Sequence, residues 1–88
     1  MQQNEIGHDI ESLIEKAKEF IPETSLVHAK TFLAMHHFDG AFEEVVELFI
    51  SSDLTIPKHL FESINNIGIY LGIKREVWSS LECTMNDS

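Results

Sequence analysis

The chain has 88 residues, enough for one domain, and its 15 Asp and Glu outnumber its 6 Lys and Arg to give a net charge of −9. That balance argues against direct binding of nucleic acid, which needs cations to displace counterions, and against anionic membrane surfaces. A single cysteine excludes an internal disulfide framework.

A domain this size buries roughly 60–65% of the surface its unfolded chain exposes, which leaves little room for a deep pocket. The complement of the acidic surface is a basic protein, because opposite fields steer association. The alternative is that the charge only maintains solubility. The first ten residues lack a basic segment followed by an apolar one, so no signal peptide is expected. No apolar run approaches the roughly 20 residues of a membrane helix. With the lone cysteine, this points to a soluble protein of the reducing cytoplasm.

The spacing predicts a first helix over residues 5–20. Ile6, Ile10, Leu13, Ile14 and Ala17 recur at helical intervals, and Phe20 and Ile21 extend the stripe. Acids lie early and Lys16 and Lys18 late, which suits the helix dipole. Pro22 closes the element. A second helix spans 24–36, capped by Thr24 or Ser25, with Leu26, Ala29, Leu33 and His36 on one face and Phe32 beside it.

A break at His36–His37 leaves Phe38, Ala41, Phe42, Val45 and Phe49 as an unbroken stripe on a third helix ending near Ser51. Residues 51–55 form a polar connection. A fourth helix runs from Pro57, suited to the first helical position, to about Leu71. Leu60, Phe61, Ile64, Ile67 and Leu71 face the core. Gly68 shares that face, as a close helix–helix approach would require, and Gly72 stops the helix. A short fifth helix is expected from Lys74 to about Glu82, with Val77, Trp78 and Leu81 packing back, and fraying is expected over 1–4 and 84–88. No strand-length alternation of apolar and polar residues occurs; the G-I-Y-L-G-I run continues a helical stripe. Short connections imply antiparallel neighbours. The expected fold is therefore all-α, a single compact bundle of four main helices plus a short C-terminal one.

Motifs for chemistry are absent. His8, His28, His36, His37 and His59 form no HxxxH or HExxH pair, and Cys83 has no CxxC partner, so no metal ligand set is predicted. Ser51, Ser52, Ser63, Ser79 and Ser80 occupy no G-x-S-x-G context. No glycine-rich phosphate loop is present. The reading assigns no catalytic residue and no cofactor.

The carboxylates do form a pattern. Glu11, Glu15 and Glu19 fall at i, i+4, i+8 on the first helix, and Asp39, Glu43, Glu44 and Glu47 cluster on the third. Like charges at i, i+4 cost about 0.2–0.5 kcal/mol per pair. Helix stability does not favour such rows, so they are candidates for contact with a partner; the alternative is a solvated face. The phenylalanines read as core. Tyr70 and Trp78 are the aromatic interface candidates, since these types recur at hot spots.

The segment from Phe38 to Ile73 resembles small bacterial immunity proteins of the MafI type. The resemblance lies in a helix opening with Phe38, Ala41, Phe42 and Glu43, in the connection Asp53-Leu54-Thr55-Ile56, and in the ending Leu71-Gly72-Ile73. It covers about two-fifths of the chain, mostly at packing positions. Where the family often has Gly-Glu before the aromatic, this chain has His36-His37. The resemblance implies a protein that neutralises a cognate toxin, often a nuclease with a basic substrate cleft, by covering that cleft with an acidic helical surface. The expected contacts are Asp39, Glu43, Glu44 and Glu47, or else Glu11, Glu15 and Glu19, with Tyr70. The other readings are an acidic helical adaptor, a nucleic-acid mimic, or a carrier protein. Carriers place a modified serine in an Asp-Ser-Leu order; here Ser52-Asp53-Leu54 reverses it.

Overall fold

The computed structural model describes the backbone of residues 3–52 and 55–83 and the side chains of residues 5–52 and 55–81. The expected fraying of 84–88, and the Asp53-Leu54 part of the connection, lie outside the described residues. Four α-helices are described: α1 (Gln3–Ala17), α2 (Val27–Ala34), α3 (Phe38–Ser51) and α4 (Lys58–Leu71). They enclose one apolar core, and all-α is the correct class.

α1 ends at Ala17, three residues earlier than its stripe suggests. The backbone then tightens: the Phe20 and Ile21 amides both donate to the Ala17 carbonyl, at 2.9 and 2.8 Å. This turn sends Ile21 into the core and sets the half-buried Phe20 ring edge-on to Phe49, 6.2 Å away. A 3₁₀ turn over Glu23–Leu26 then leads into α2. No side-chain cap forms there; the Ser25 amide instead donates to the Pro22 carbonyl at 2.9 Å. Leu26 and Ala29 are buried, Phe32 and Leu33 half-buried.

His36 was expected on the buried face of α2, but it is exposed and lies beyond the helix in the left-handed region, at φ 61°. The His37 amide donates to Phe32 carbonyl at 2.8 Å and the His36 amide to Leu33 carbonyl at 3.0 Å. This crossed pair is a Schellman motif, which satisfies the last carbonyls and normally places glycine where His36 stands. Each imidazole stacks on a phenylalanine, His36 on Phe38 and His37 on Phe32. The turn reverses the chain so that α3 lies along α2. A Cβ on Gly40 would stand 3.0 Å from the Phe32 ring, so the two helices meet closely there.

α3 follows its predicted stripe, and Val46 joins Ala41, Phe42, Val45 and Phe49 in the core. Pro57 precedes α4 as its N-cap rather than its first helical residue: ψ is 151°, and its carbonyl accepts from the Leu60 and Phe61 amides. Leu60, Ile64 and Ile67 are buried. At the other end Gly72 adopts φ 75°, and the Ile73 and Gly72 amides donate to the Gly68 and Ile69 carbonyls, a second Schellman motif.

The C-terminal segment departs most from expectation. Instead of a fifth helix it makes one 3₁₀ turn, Arg75–Val77, followed by β2 (Glu82–Cys83), which pairs in parallel with β1 (Thr55–Ile56) in the register Thr55 to Glu82 and Ile56 to Cys83. Trp78 governs this path. Its indole is 1% exposed, meets Phe42 edge-on at 5.6 Å and donates from Nε1 to Asn65 Oδ1 at 3.1 Å. Its six-membered ring covers Gly68, so the small residue admits an indole, not a neighbouring helix. Trp78 thus packs back into the core as its spacing implied, and is not the interface aromatic that its residue type suggested.

Candidate functional site

The two carboxylate rows occupy different environments. On α1, Glu15 lies 3.2 Å from the Lys18 ammonium, which also reaches Glu23 at 3.6 Å; Glu23 in turn accepts from Lys30 of α2 at 2.7 Å. These four side chains form one chain of ion pairs across α1, the 3₁₀ turn and α2. Lys30, hydrogen-bonded to Glu23, and then Lys18 hold that carboxyl below its ordinary value. The hydrogen bond to Glu15, reinforced by the charges of Glu15 and Glu23, holds the Lys18 ammonium above its own, against partial desolvation. Glu11 stands 3.9 Å from His8 Nδ1. Glu19 is exposed and has no ion-pair partner among the described residues. Within the α1 row, Glu15 is therefore the one carboxylate paired with a lysine among the described residues.

The α3 row differs. α3 reads F-D-G-A-F-E-E-V-V-E-L-F-I-S and holds no Lys, Arg or His. Asp39, Glu43 and Glu47 stand at i, i+4, i+8 on the outer side of the helix, and all three are exposed; Glu44 is half-buried on the flank. Among the described residues none of the four enters an ion pair. Asp39 sits in the first turn, where the helix dipole favours a negative charge. Glu43 and Glu47 lie too far along the helix to share that benefit. Ile50, three residues beyond Glu47 on the same face, is 38% exposed and gives the acidic row an apolar end. The face thus offers a line of unpaired carboxylates with an aliphatic group beside it, a surface suited to Lys and Arg side chains with methylene stems.

Tyr70 is 43% exposed and does not join the α3 row. It belongs to a groove between α1 and α4, formed by two adjoining cavities of about 250 and 150 Å³. Sequence reasoning missed this groove, although its walls carry a signal. Asp9, Ser12 and Lys16 on α1, and Ser63, Asn66 and Tyr70 on α4, each follow i, i+3, i+7 beside a buried stripe. Among the described residues no three His, Cys, Asp or Glu side chains converge as a metal site, and no helix is long and apolar enough to cross a membrane. A scan of family models and searches of curated proteins and of solved structures found no match to this chain.

Proposed function

We propose that this chain is a cytoplasmic, non-enzymatic immunity protein that binds a cognate bacterial toxin, most simply a nuclease domain, and covers its basic substrate cleft. The observation that carries the reading is the outer face of α3: exposed Asp39, Glu43 and Glu47, flanking Glu44, no basic residue on the helix and, among the described residues, no ion pair. Three acids at successive i, i+4 positions disfavour their own helix, and a cationic cleft converts that repulsion into attraction. Close charge pairs across an interface reach coupling energies of about 1.5–7 kcal/mol in the best-measured case. The partly compensated α1 row has less free charge to offer. Between the two acidic faces, α3 is therefore the proposed contact.

A nucleic-acid mimic would use the same face against a different basic protein, and the partner separates the two readings. A carrier role draws no support from Ser52, which follows the end of α3 rather than opening a helix. The test is co-expression with the C-terminal domain of the protein encoded immediately upstream, scored by growth and by co-purification. The account expects rescue with a stable complex. Absence of both would remove immunity as the function.

A further inference from the structure

The groove between α1 and α4 is lined by side chains of the kinds that recognise a guanidinium. In its narrower half, Ile6 and Ile67 form an aliphatic wall, and Asp9, Asn66 and Tyr70 surround it. Among the described residues the Asp9, Asn66 and Tyr70 side chains make no hydrogen bond or ion pair. A carboxylate accepts two parallel N–H bonds from a guanidinium, an amide oxygen accepts a third, a tyrosine ring stacks on the planar cation, and isoleucines receive the methylene stem. The cavity of about 150 Å³ is of side-chain size.

The wider half continues past Ser12 and Ser63 to Lys16, which is in no ion pair among the described residues. Ile6 lies beside Tyr70 and Lys16 beside Ser63, so α1 and α4 run antiparallel and the groove is continuous along them. Asp9 and Lys16 are two helical turns apart, roughly 10.5 Å at 1.5 Å per residue. A peptide in the extended polyproline II conformation rises about 3.1 Å per residue and turns once in three, so it covers most of that distance in about three residues with both side chains on one face. We propose that this groove is a second recognition site, distinct from the α3 face, which binds an extended protein segment through one arginine at Asp9 and Tyr70 and an acidic residue three positions away at Lys16. Continuity of the groove along both helices argues for a chain segment rather than free arginine. Only the source of the arginine, a partner protein, rests on the function proposed above.

The test uses the isolated full chain and is independent of growth rescue. Blocked Arg-Ala-Ala-Glu peptide is titrated into the isotopically labelled protein and followed by NMR, beside peptides with citrulline or lysine in place of arginine, and free arginine. The site predicts shifts at Asp9, Asn66 and Tyr70, with binding at least about tenfold weaker for each of the other three ligands, the loss expected for one charge-assisted contact. D9N should cost about tenfold. Y70F should bind as the parent does and Y70S should not. Asp9 and Tyr70 are exposed, so the variants keep the fold, which their spectra report directly. Equal binding of the citrulline or lysine peptide, or shifts confined to α3, would overturn the site. Free arginine binding as tightly as the peptide would overturn a protein ligand.

Discussion

Replacing Gly68 by alanine tests the packing that defines the C-terminal third of the chain. A Cβ at this position would stand 2.9 Å from Cε3 of Trp78 and closer still to Cζ3 and Cη2. Ordinary carbon–carbon contact is about 3.5–4.0 Å, so the indole must withdraw by about 1 Å. It has little freedom to do so, because Nε1 is bonded to Asn65, the ring edge meets Phe42 and the residue is 1% exposed. Overpacking of this kind costs about 1–3 kcal/mol. The strained hydrogen bond adds about 1 kcal/mol, and the aromatic pair about 0.5–1.5. Better helix propensity returns about 1 kcal/mol. The expected net destabilisation is about 3 kcal/mol, a fall in Tm of about 12–24 °C for a domain of this size. Trp78 is the only tryptophan, so its fluorescence reports the displacement during urea unfolding. In a Trp78→Leu background the same Gly68→Ala change should reverse sign and stabilise by up to about 1 kcal/mol, measured by circular dichroism. A neutral or stabilising Gly68→Ala in the parent chain would refute the reasoning.

Three further expectations follow from the turns and the ion pairs. His36→Gly should raise stability by about 0.5–1 kcal/mol in urea denaturation, because the residue occupies φ 61° at a position where glycine has no Cβ penalty. Gly72→Ala should lower it by about 1 kcal/mol for the same conformational reason, since a Cβ there would meet nothing within 4 Å. Glu23 has its folded pKa held below the ordinary 4.5 by Lys30 and Lys18, so its contribution is complete above that pH and lost as the pH falls through the lower folded value. Glu23→Gln and the parent should therefore differ in urea midpoint at neutral pH and low salt and converge in strong acid; an equal difference at both would contradict the assignment.

α3 and α4 were legible because each is a complete amphipathic stripe between chain-reversing residues. Phe38 to Phe49 defines one and Gly72 closes the other. The Schellman geometry at His36 was not legible beyond the break itself, since histidine carries no strong left-handed preference. Trp78 explains the missing fifth helix: Val77, Trp78 and Leu81 suit a helical face, but one indole seated on Gly68 and bonded to Asn65 fixes the segment in a 3₁₀ turn and a strand pairing. Tertiary packing there overrides local propensity. The acidic rows were visible as spacings, whereas their difference was not. The Lys18–Glu15 pair is a local i, i+3 contact, but Lys30 meets Glu23 only because α2 docks beside α1. The α1–α4 groove likewise depends on which two polar rows the bundle sets against each other.

The most direct test of the proposed immunity is growth of cells expressing the C-terminal domain of the protein encoded immediately upstream together with this chain or with its Glu43→Lys, Glu44→Lys, Glu47→Lys variant, with the affinity of each purified complex measured at two salt concentrations. All three side chains lie at the surface or on its flank, so the variant should retain the fold. The account predicts rescue by the parent, loss of rescue by the variant, an affinity lower by at least about 100-fold, and a weaker salt dependence. Rescue by the variant with unchanged affinity would contradict the α3 face as the binding surface, and failure of the parent to rescue would contradict immunity itself.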